Sequence, residues 1–289
     1  MRFPIAASRI SDAFLAACRA ELRALKPGNV HDHSSGHGMD VLHFERAAIA
    51  SAPGIAQKGA RVGRRIRDAV EASLAAAQCN TNLGIILLCA PLAYAAGEAI
   101  TGTSLAERVG NVLSGLDEID AADAFAGIAK ANPGGLGEAE SGDVRSAEAM
   151  PLVKAMALAS KRDRIALAYV TGYADIFEFA LPLLKQARKL AETPELAVTT
   201  LHMNLLARFA DTHIARKFGQ PTAEQVRQEA RRRLNLCQPV TRLEAIGELE
   251  QFDALLKARG LNPGTTADFV VATLFTEALS SQVAEPSGI

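Results

Sequence analysis

The sequence contains no tryptophan, only 5% aromatic residues and only four cysteines in 289 residues. Cys18, Cys79, Cys89 and Cys237 lie far apart and form no CxxC pair. This spacing is typical of reduced thiols in a cytoplasmic protein, and it argues against disulfides or a zinc knuckle. An excess of either charge is also absent, with 31 basic and 32 acidic residues. We therefore expect neither a nucleic-acid partner nor attraction to an acidic membrane.

Long hydrophobic runs are missing as well. Charged residues, among them Arg9, Asp12 and Arg19, interrupt the apolar pattern near the N-terminus, unlike the continuous apolar region of a signal peptide. The most apolar stretch, 83–97, contains Pro91 and is shorter than the roughly 20 residues needed to cross a bilayer. We therefore expect a buried helix there, no membrane partner and a cytoplasmic location.

Helical periodicity dominates what is present. Apolar residues recur at three- and four-residue steps, for example at Ile10, Phe14 and Cys18, and convincing alternating strands are absent. The pattern predicts helices over 8–25, 57–78, 82–98, 117–130, 146–169, 173–192, 196–217, 222–235, 241–259 and 265–281, the sixth kinked or split at Pro182. We predict an all-α protein with one domain over 1–289, a multi-helix bundle whose polar glycine-rich loops converge on one cleft.

The segment "KPGNVHDHSSGHGMD", residues 26–40, concentrates titratable groups after the first helix. Lys26 lies where it could satisfy the negative helix end or bind a phosphate. His31, His33 and His37 could bind a transition metal, although their spacing matches no established zinc pattern. The alternative is a solvated polar loop. Because loops so rich in His and Asp are often functional, the segment is a candidate site.

Other polar segments also lie at predicted helix ends. In "NTNLG", residues 80–84, the polar side chains and Gly84 favour either ordinary helix capping or a phosphate site at a helix N-terminus. "ARFADTHIARKFG", 207–219, combines Asp211 with Arg216, which a surface ion pair would also explain. "LNPGTTADF", 261–269, is by itself a well-built helix start, and "NPGGLGEAESGDVR", 132–145, is an acidic glycine-rich loop.

Converging loops of this kind would suit a magnesium–nucleotide. Acidic oxygens would bind the ion, while helix N-termini and basic side chains would bind the phosphates. The sequence contains no GxxxxGK[ST] motif and no GxGxxG after a strand, which excludes the familiar nucleotide-binding folds.

Five motifs in order resemble the triphosphoribosyl-dephospho-CoA synthases. They are "KPGNV…GHGMD", "NTNLGIILL", "GGLGEAESGD", "DTHIARKFG" and "LNPGTTADF", which together span most of the chain. The resemblance implies an all-α transferase that joins the ribose C1 of ATP to the 2′-hydroxyl of 3′-dephospho-CoA and releases adenine. It also implies that Mg2+ accompanies ATP, and we expect no tightly bound organic cofactor.

Within the matched motifs, we assign roles by residue chemistry. Asp40, Glu138 and Glu140 are the candidate catalytic carboxylates, because glycosyl transfer passes through an oxocarbenium-like state that a carboxylate can stabilise or deprotonate. Asp211 and Glu138 are the candidate magnesium ligands. The candidate substrate and nucleotide contacts are Lys26, Asn29, His37, Asn80, Thr81, Asn82, Gly84, Arg216, Asn262 and Asp268.

Two departures from the family pattern leave the acceptor open. Better-known members have "NTHKG" where this chain has "NTNLG", so a histidine and a lysine become Asn82 and Leu83. The first motif also lacks an acid before Met39 and Asp40. The "NTNLG" form resembles a branch associated with methanopterin-type one-carbon carriers. The alternatives are therefore a divergent nucleotide-dependent enzyme of cofactor assembly or a non-catalytic nucleotide-binding protein. Broad apolar faces are also compatible with a homodimer.

Overall fold

The computed structural model describes residues 4–32, 34, 40–131, 150–236 and 242–284. These residues form fourteen α-helices and no β-strand, which confirms the predicted all-α class. The first seven are α1 (Ala7–Arg23), α2 (Val41–Ile55), α3 (Val62–Ala77), α4 (Leu83–Gly97), α5 (Leu105–Ser114), α6 (Glu118–Ala131) and α7 (Leu152–Ala159). The others are α8 (Arg164–Val170), α9 (Leu181–Leu190), α10 (Pro194–Arg208), α11 (Thr212–Phe218), α12 (Gln220–Leu236), α13 (Ile246–Ala258) and α14 (Gly264–Ala284).

Several predicted helices are divided, and the sequence explains where. The predicted 146–169 helix is two helices, α7 and α8. The division lies at Asp163, whose carboxylate accepts the Ala166 N–H at 2.9 Å and caps α8. Pro182 lies in the first turn of α9, directly after a π-helix at Asp175–Ala180, so the predicted interruption is confirmed. A 3₁₀ turn at Leu243–Ala245 precedes α13.

Two helices were missed. The apolar pattern does not predict α2 and α5, both of which the structure contains. For α5 the capping signal is present in the sequence, since Ser104 accepts the Glu107 N–H at 3.2 Å and Glu107 in turn accepts the Thr103 N–H at 2.6 Å. This arrangement is close to a capping box, with Glu107 accepting the N–H of the residue before the N-cap, and a search for Ser followed three residues later by Glu would have found it.

The chain divides into two compact units. The first comprises Met1–Ala17, His43–Ala174 and Phe275–Ile289, and the second comprises Cys18–Leu42 and Asp175–Leu274. The prediction of one domain over 1–289 stays a prediction. Among the described residues, no single helix is long and apolar enough to cross a membrane, and one bent pair, Arg164–Val170 with Asp175–Leu190, meets that test only jointly, by length and composition.

In the first unit, α4 is buried on nearly all sides, which explains its continuous apolar sequence. Pro91 lies inside this helix and has no N–H to donate to the carbonyl of Leu87. The buried Tyr169 hydroxyl donates to that carbonyl at 2.7 Å, and Tyr173 donates to the Leu88 carbonyl at 3.1 Å. Two tyrosines thus satisfy the acceptors next to the proline, so α4 continues through it.

Helices α3 and α6 of the first unit pack with their backbones in close approach. A β-carbon on Gly63 would lie 2.3 Å from the carbonyl oxygen of Asp120. The Gly63 N–H donates to the Asp120 carboxylate at 2.9 Å, and Arg61 donates to the same carboxylate at 2.8 Å. Packing therefore requires a glycine at position 63. Backbone conformation does not require it, because the backbone there is helical.

We expect Gly63→Ala to lower the free energy of unfolding by about 2–3 kcal/mol, because the methyl group would overlap backbone atoms of α6 that cannot move independently. The matched control is Gly110→Ala in α5, where an added β-carbon has no neighbour within 4 Å. That substitution should be neutral or stabilising by up to about 1 kcal/mol through helix propensity. Urea denaturation of both variants measures the difference, and equal effects would contradict the close approach.

Candidate functional site

The second unit brings the first and last matched motifs into direct contact. The Asn29 amide donates to the Asn262 side-chain oxygen at 2.8 Å. Beside it Gly28 has a φ of +84°, and a β-carbon there would lie 2.8 Å from the Pro263 ring and 3.0 Å from the Leu261 carbonyl oxygen. Glycine at position 28 therefore answers both a backbone and a packing constraint. Gly28 and Asn29 thus lie against Asn262 and Pro263, more than 230 positions away in the chain. We call these four residues the amide wall.

Lys26 lies behind this wall and is fully buried. Its ammonium donates to Glu21 at 2.5 Å, to the Val30 carbonyl at 2.6 Å and to the Asn29 side chain at 3.3 Å. Burial lowers the pKa of Lys26 and raises the pKa of Glu21, and the contact between the two opposes both shifts. Three acceptors account for the three ammonium protons, so Lys26 holds the loop in this conformation. Its phosphate contact stays a prediction.

Asp253 of α13 is a buried residue of this region that the sequence analysis missed. One carboxylate oxygen accepts the Gly28 N–H at 2.8 Å, and the other accepts from Lys257 at 2.9 Å and from His31 at 3.3 Å. Burial acts to raise the pKa of Asp253, but these hydrogen bonds outweigh it and hold the pKa below its usual value. For His31, burial has the opposite effect and lowers the pKa, because it disfavours the charged ring. Asp253 was missed because it lies inside an ordinary amphipathic helix pattern.

His202 of α10 is the second group that was missed. Its side chain is fully buried, and neither ring nitrogen makes a hydrogen bond of normal geometry, although the Pro27 carbonyl lies near enough to favour the protonated ring. Burial, with Lys26 nearby, lowers the pKa of His202 to about 3. His202 is therefore neutral at physiological pH and contributes a polar but uncharged surface beneath residues 26–31.

Asp211 joins the motif at 211–219 to the last motif, 261–269. One oxygen accepts the N–H groups of His213 at 2.9 Å and Ile214 at 3.0 Å, which caps α11. The other accepts both the N–H and the hydroxyl of Thr266, each at 2.8 Å, at the start of α14. Burial raises the pKa of Asp211, and these four hydrogen bonds oppose the shift. The carboxylate thus fastens two helix starts, and its predicted role as a magnesium ligand stays a prediction.

The start of α4 in the first unit has a different character. Asn82 is 2% exposed, and within the described residues both polar atoms of its amide lack a hydrogen-bond partner, as does the buried hydroxyl of Thr81. No side chain caps this helix. Asn80 donates to the Ala131 carbonyl at 3.3 Å. Since buried polar groups are nearly always satisfied, the start of α4 has the composition of a ligand site whose ligand supplies the missing partners.

The other predicted site residues lie as follows. Asp40 immediately precedes α2, Arg216 lies in the last turn of α11 and Asp268 lies in α14, and all three are partly exposed. Gly84 lies in the first turn of α4. His33, His37, Glu138 and Glu140 lie outside the described residues.

A magnesium site cannot be built from the described residues alone. No group of three or more His, Cys, Asp or Glu side chains among them could hold a metal ion. Both oxygens of Asp211 already accept two hydrogen bonds each. The described residues alone therefore do not assemble a magnesium site, and the predicted pair of Asp211 with Glu138 stays a prediction. The Mg2+ that accompanies ATP is treated below as part of the substrate.

The double cap at Asp211 predicts an unusually large loss on truncation. Asp211→Ala should lower the free energy of unfolding by about 2–4 kcal/mol, since a single lost cap costs about 1 kcal/mol and two helix starts lose their acceptor here. The control is Thr193→Ala in the same unit, where the hydroxyl caps α10 through one bond to the Leu196 N–H at 3.2 Å. Denaturant melts of both variants give the comparison, and equal losses would contradict the double role.

Comparison with known proteins agrees with these motifs. Residues 7–287 match the model of the ATP:dephospho-CoA triphosphoribosyl transferase family. A crystal structure from Archaeoglobus fulgidus, assigned as a triphosphoribosyl-dephospho-CoA synthase, is similar with a TM-score of 0.63 and 23% identity. The similarity covers 81% of this chain and 97% of that one, and it shows a shared fold. No curated protein matches the sequence.

The family match covers nearly the whole chain and confirms the resemblance that the five motifs indicated. It also confirms the predicted class of enzyme, an ATP-dependent transferase of the triphosphoribosyl-dephospho-CoA synthase type. The chain belongs to the ATP:dephospho-CoA triphosphoribosyl transferase family.

Proposed function

We propose that this protein binds Mg–ATP and transfers its triphosphoribosyl group to 3′-dephospho-CoA. In this reaction the bond from ribose C1 to N9 of adenine breaks, and a bond forms from C1 to the 2′-hydroxyl oxygen of the acceptor. The electron pair of the broken bond leaves with adenine, and the hydroxyl proton balances it. The triphosphate stays attached to the transferred ribose throughout.

The observation that carries nucleotide binding is the unsatisfied start of α4. The buried Thr81 hydroxyl and the Asn82 amide lie beside the first N–H groups of a 15-residue helix that no side chain caps. These groups are donors, apart from the Asn82 oxygen, and they match the oxygens of a phosphate chain. Because "NTNLG" lacks the histidine and lysine of "NTHKG", neutral donors must do this binding here.

The chemistry at C1 calls for a carboxylate. An oxocarbenium-like transition state is stabilised by a nearby negative charge, and the attacking hydroxyl must lose its proton. Asp40 is partly exposed and directly precedes α2, so it is accessible to a substrate. We assign Asp40 to this step together with Glu138 and Glu140 of the acidic loop.

The amide wall belongs to the second unit and differs in charge balance from the α4 start of the first unit. The cations near this wall are already compensated, Lys26 by Glu21 at 2.5 Å and Lys257 by Asp253 at 2.9 Å. A wall beside internally paired charges presents amide groups rather than net charge. Such a surface favours ribose hydroxyls over phosphates, and we assign Asn29 and Asn262 to sugar recognition on this ground.

The alternative function is transfer to a different acceptor in cofactor assembly. The replacement of two basic residues by Asn82 and Leu83 favours this alternative, since contacts to an acceptor phosphate would be lost with them. The third possible function is that of a non-catalytic nucleotide-binding protein. A homodimer, a cytoplasmic location and the lack of nucleic-acid or membrane partners stay predictions from composition.

The transferase proposal predicts that Mg–ATP releases adenine only when 3′-dephospho-CoA is present. Asp40→Asn should lower the rate at least about 100-fold, because an amide neither takes the hydroxyl proton nor stabilises positive charge. Asp163→Asn is the control, since asparagine caps a helix as well as aspartate does and the side chain lies at the start of α8. Chromatography of free adenine measures the rate. Nucleotide binding without adenine release would favour another acceptor, and unchanged turnover in Asp40→Asn would remove its catalytic role.

The assignment of the α4 start predicts opposite effects on stability and binding. Asn82→Leu should raise the free energy of unfolding without ligand by about 1 kcal/mol, because it removes buried polar atoms that have no partner. The same change should weaken ATP binding about tenfold or more. Ser51→Ala is the control in the same unit, since this buried hydroxyl is satisfied by the Ala48 carbonyl at 3.2 Å. Its loss should leave ATP affinity unchanged. Calorimetry and urea melts give both quantities, and a destabilised Asn82→Leu with normal affinity would make Asn82 structural.

A further inference from the structure

The second unit, Cys18–Leu42 with Asp175–Leu274, contains a polar groove. None of the candidate-site residues described above lines this groove. This cavity, here called the arginine groove, has a volume of about 400 Å3. Its polar and aromatic lining residues are Phe179, Asn204, Arg208, Arg227, Arg231 and Asn235. Among the described residues, no acidic side chain lines it. The volume lies within the range of pockets that bind small molecules.

The groove is formed by two helices that each present regularly spaced polar groups. Arg227, Arg231 and Asn235 are four residues apart on α12 and so project from one face of that helix. Asn204 and Arg208 have the same spacing on α10. Guanidinium groups from two separate helices therefore reach one cavity, which distinguishes the groove from a single solvated helix face.

Arg208 is held in place by aromatic contact. Its guanidinium carbon lies 4.3 Å from the centre of the Phe179 ring and 5.4 Å from that of Phe209. Contact with a ring face leaves the N–H groups at the edge of the guanidinium plane free to meet an anion. The stacking thus limits the conformational freedom that binding would otherwise have to remove.

The charges in the groove are only partly compensated. Arg227 pairs with Glu224 at 2.5 Å and also donates to the Ala207 carbonyl at 3.3 Å. Arg208 and Arg231 have no carboxylate partner within the described residues. Elsewhere in the same unit Arg259 pairs with Glu229 at 2.8 Å, Arg242 pairs with Glu192 at 3.0 Å and Arg233 pairs with Glu248. Two unpaired guanidinium groups in one cavity favour an anionic ligand, which would relieve their mutual repulsion.

We infer that the arginine groove binds the polyphosphate portion of a nucleotide-type ester. The guanidinium fork matches the oxygens of phosphate in a bidentate manner, and two such groups with two asparagines suit a diphosphate or triphosphate better than a single carboxylate. The inference rests on the proposed function for the identity of the ester, because both proposed substrates carry polyphosphate chains. The anion site itself follows from the groove alone.

Inorganic pyrophosphate, titrated into the full-length protein by calorimetry, tests the site without turnover. Arg208→Gln and Arg231→Gln should each weaken binding about tenfold or more, since each removes a charge-assisted contact. The control is Arg232→Gln, which changes an exposed neighbour on α12 that does not line the groove. It should change affinity by less than about twofold. Circular dichroism checks that all three variants fold.

Two results would overturn the inference. One is the absence of saturable pyrophosphate binding by the unmodified protein, and the other is an equal loss in all three variants, which would indicate unspecific attraction to surface charge. Steady-state kinetics then separates the groove from the reaction. A raised KM for either ATP or dephospho-CoA in Arg231→Gln identifies the bound ester. The two proposals can also fail separately. If the unmodified protein releases no adenine but binds pyrophosphate, and Arg231→Gln loses that binding, the anion site is supported and the proposed transfer is not.

Discussion

Buried carboxylates that accept backbone N–H groups hold the candidate site of the second unit together. Buried amides at helix starts and tight loops must find acceptors, because leaving one unsatisfied costs about 1–3 kcal/mol. Asp253 supplies the acceptor for Gly28, and Asp211 supplies acceptors for α11 and α14. Each carboxylate thereby fixes segments that are distant in the chain. The amide wall at Asn29 and Asn262 forms because such hydrogen bonds, among them the one from Gly28 to Asp253, hold its two halves in contact.

Much of this architecture could be predicted from sequence, and the failures have physical causes. Apolar periodicity predicted the all-α class, and Pro182 predicted a break that the structure contains. The predicted 196–217 helix is instead two helices, because Asp211 caps α11 within an otherwise continuous helical pattern. Periodicity does not detect such a cap, since a capping aspartate and an exposed helical aspartate look alike in one sequence.

The candidate site shows the same division. The motifs identified Asn29, Asp211 and Asn262, which the structure connects through short hydrogen bonds or helix caps. They did not identify Asp253 or His202, whose importance depends on which residues face them across 170 or more positions of sequence. Tertiary contact of this kind leaves no trace in local spacing. The sequence also suggested that Lys26 satisfies the helix end or binds a phosphate, whereas its burial beside Glu21 depends on the fold.

Satisfied and unsatisfied groups divide the molecule by function. Where polar groups are paired internally, as at Lys26 and Asp211, they hold loops in position. Where they are not, at the buried Asn82 side chain, burial carries a desolvation cost that the proposed ligand would offset. In the solvent-exposed arginine groove the unpaired groups are charged, and an anion is their proposed partner. Phosphate oxygens are the partners that we propose for both the α4 start and the arginine groove.

The most direct measurement uses Mg–ATP carrying 13C throughout its ribose, incubated with the protein and unlabelled 3′-dephospho-CoA, followed by mass spectrometry of the products. We predict that the labelled ribose and all three phosphates appear on the CoA derivative, that fragmentation places them on its ribose, and that the released adenine is unlabelled. Label that stays in intact ATP, or in free triphosphoribose formed by hydrolysis, would contradict transfer to this acceptor.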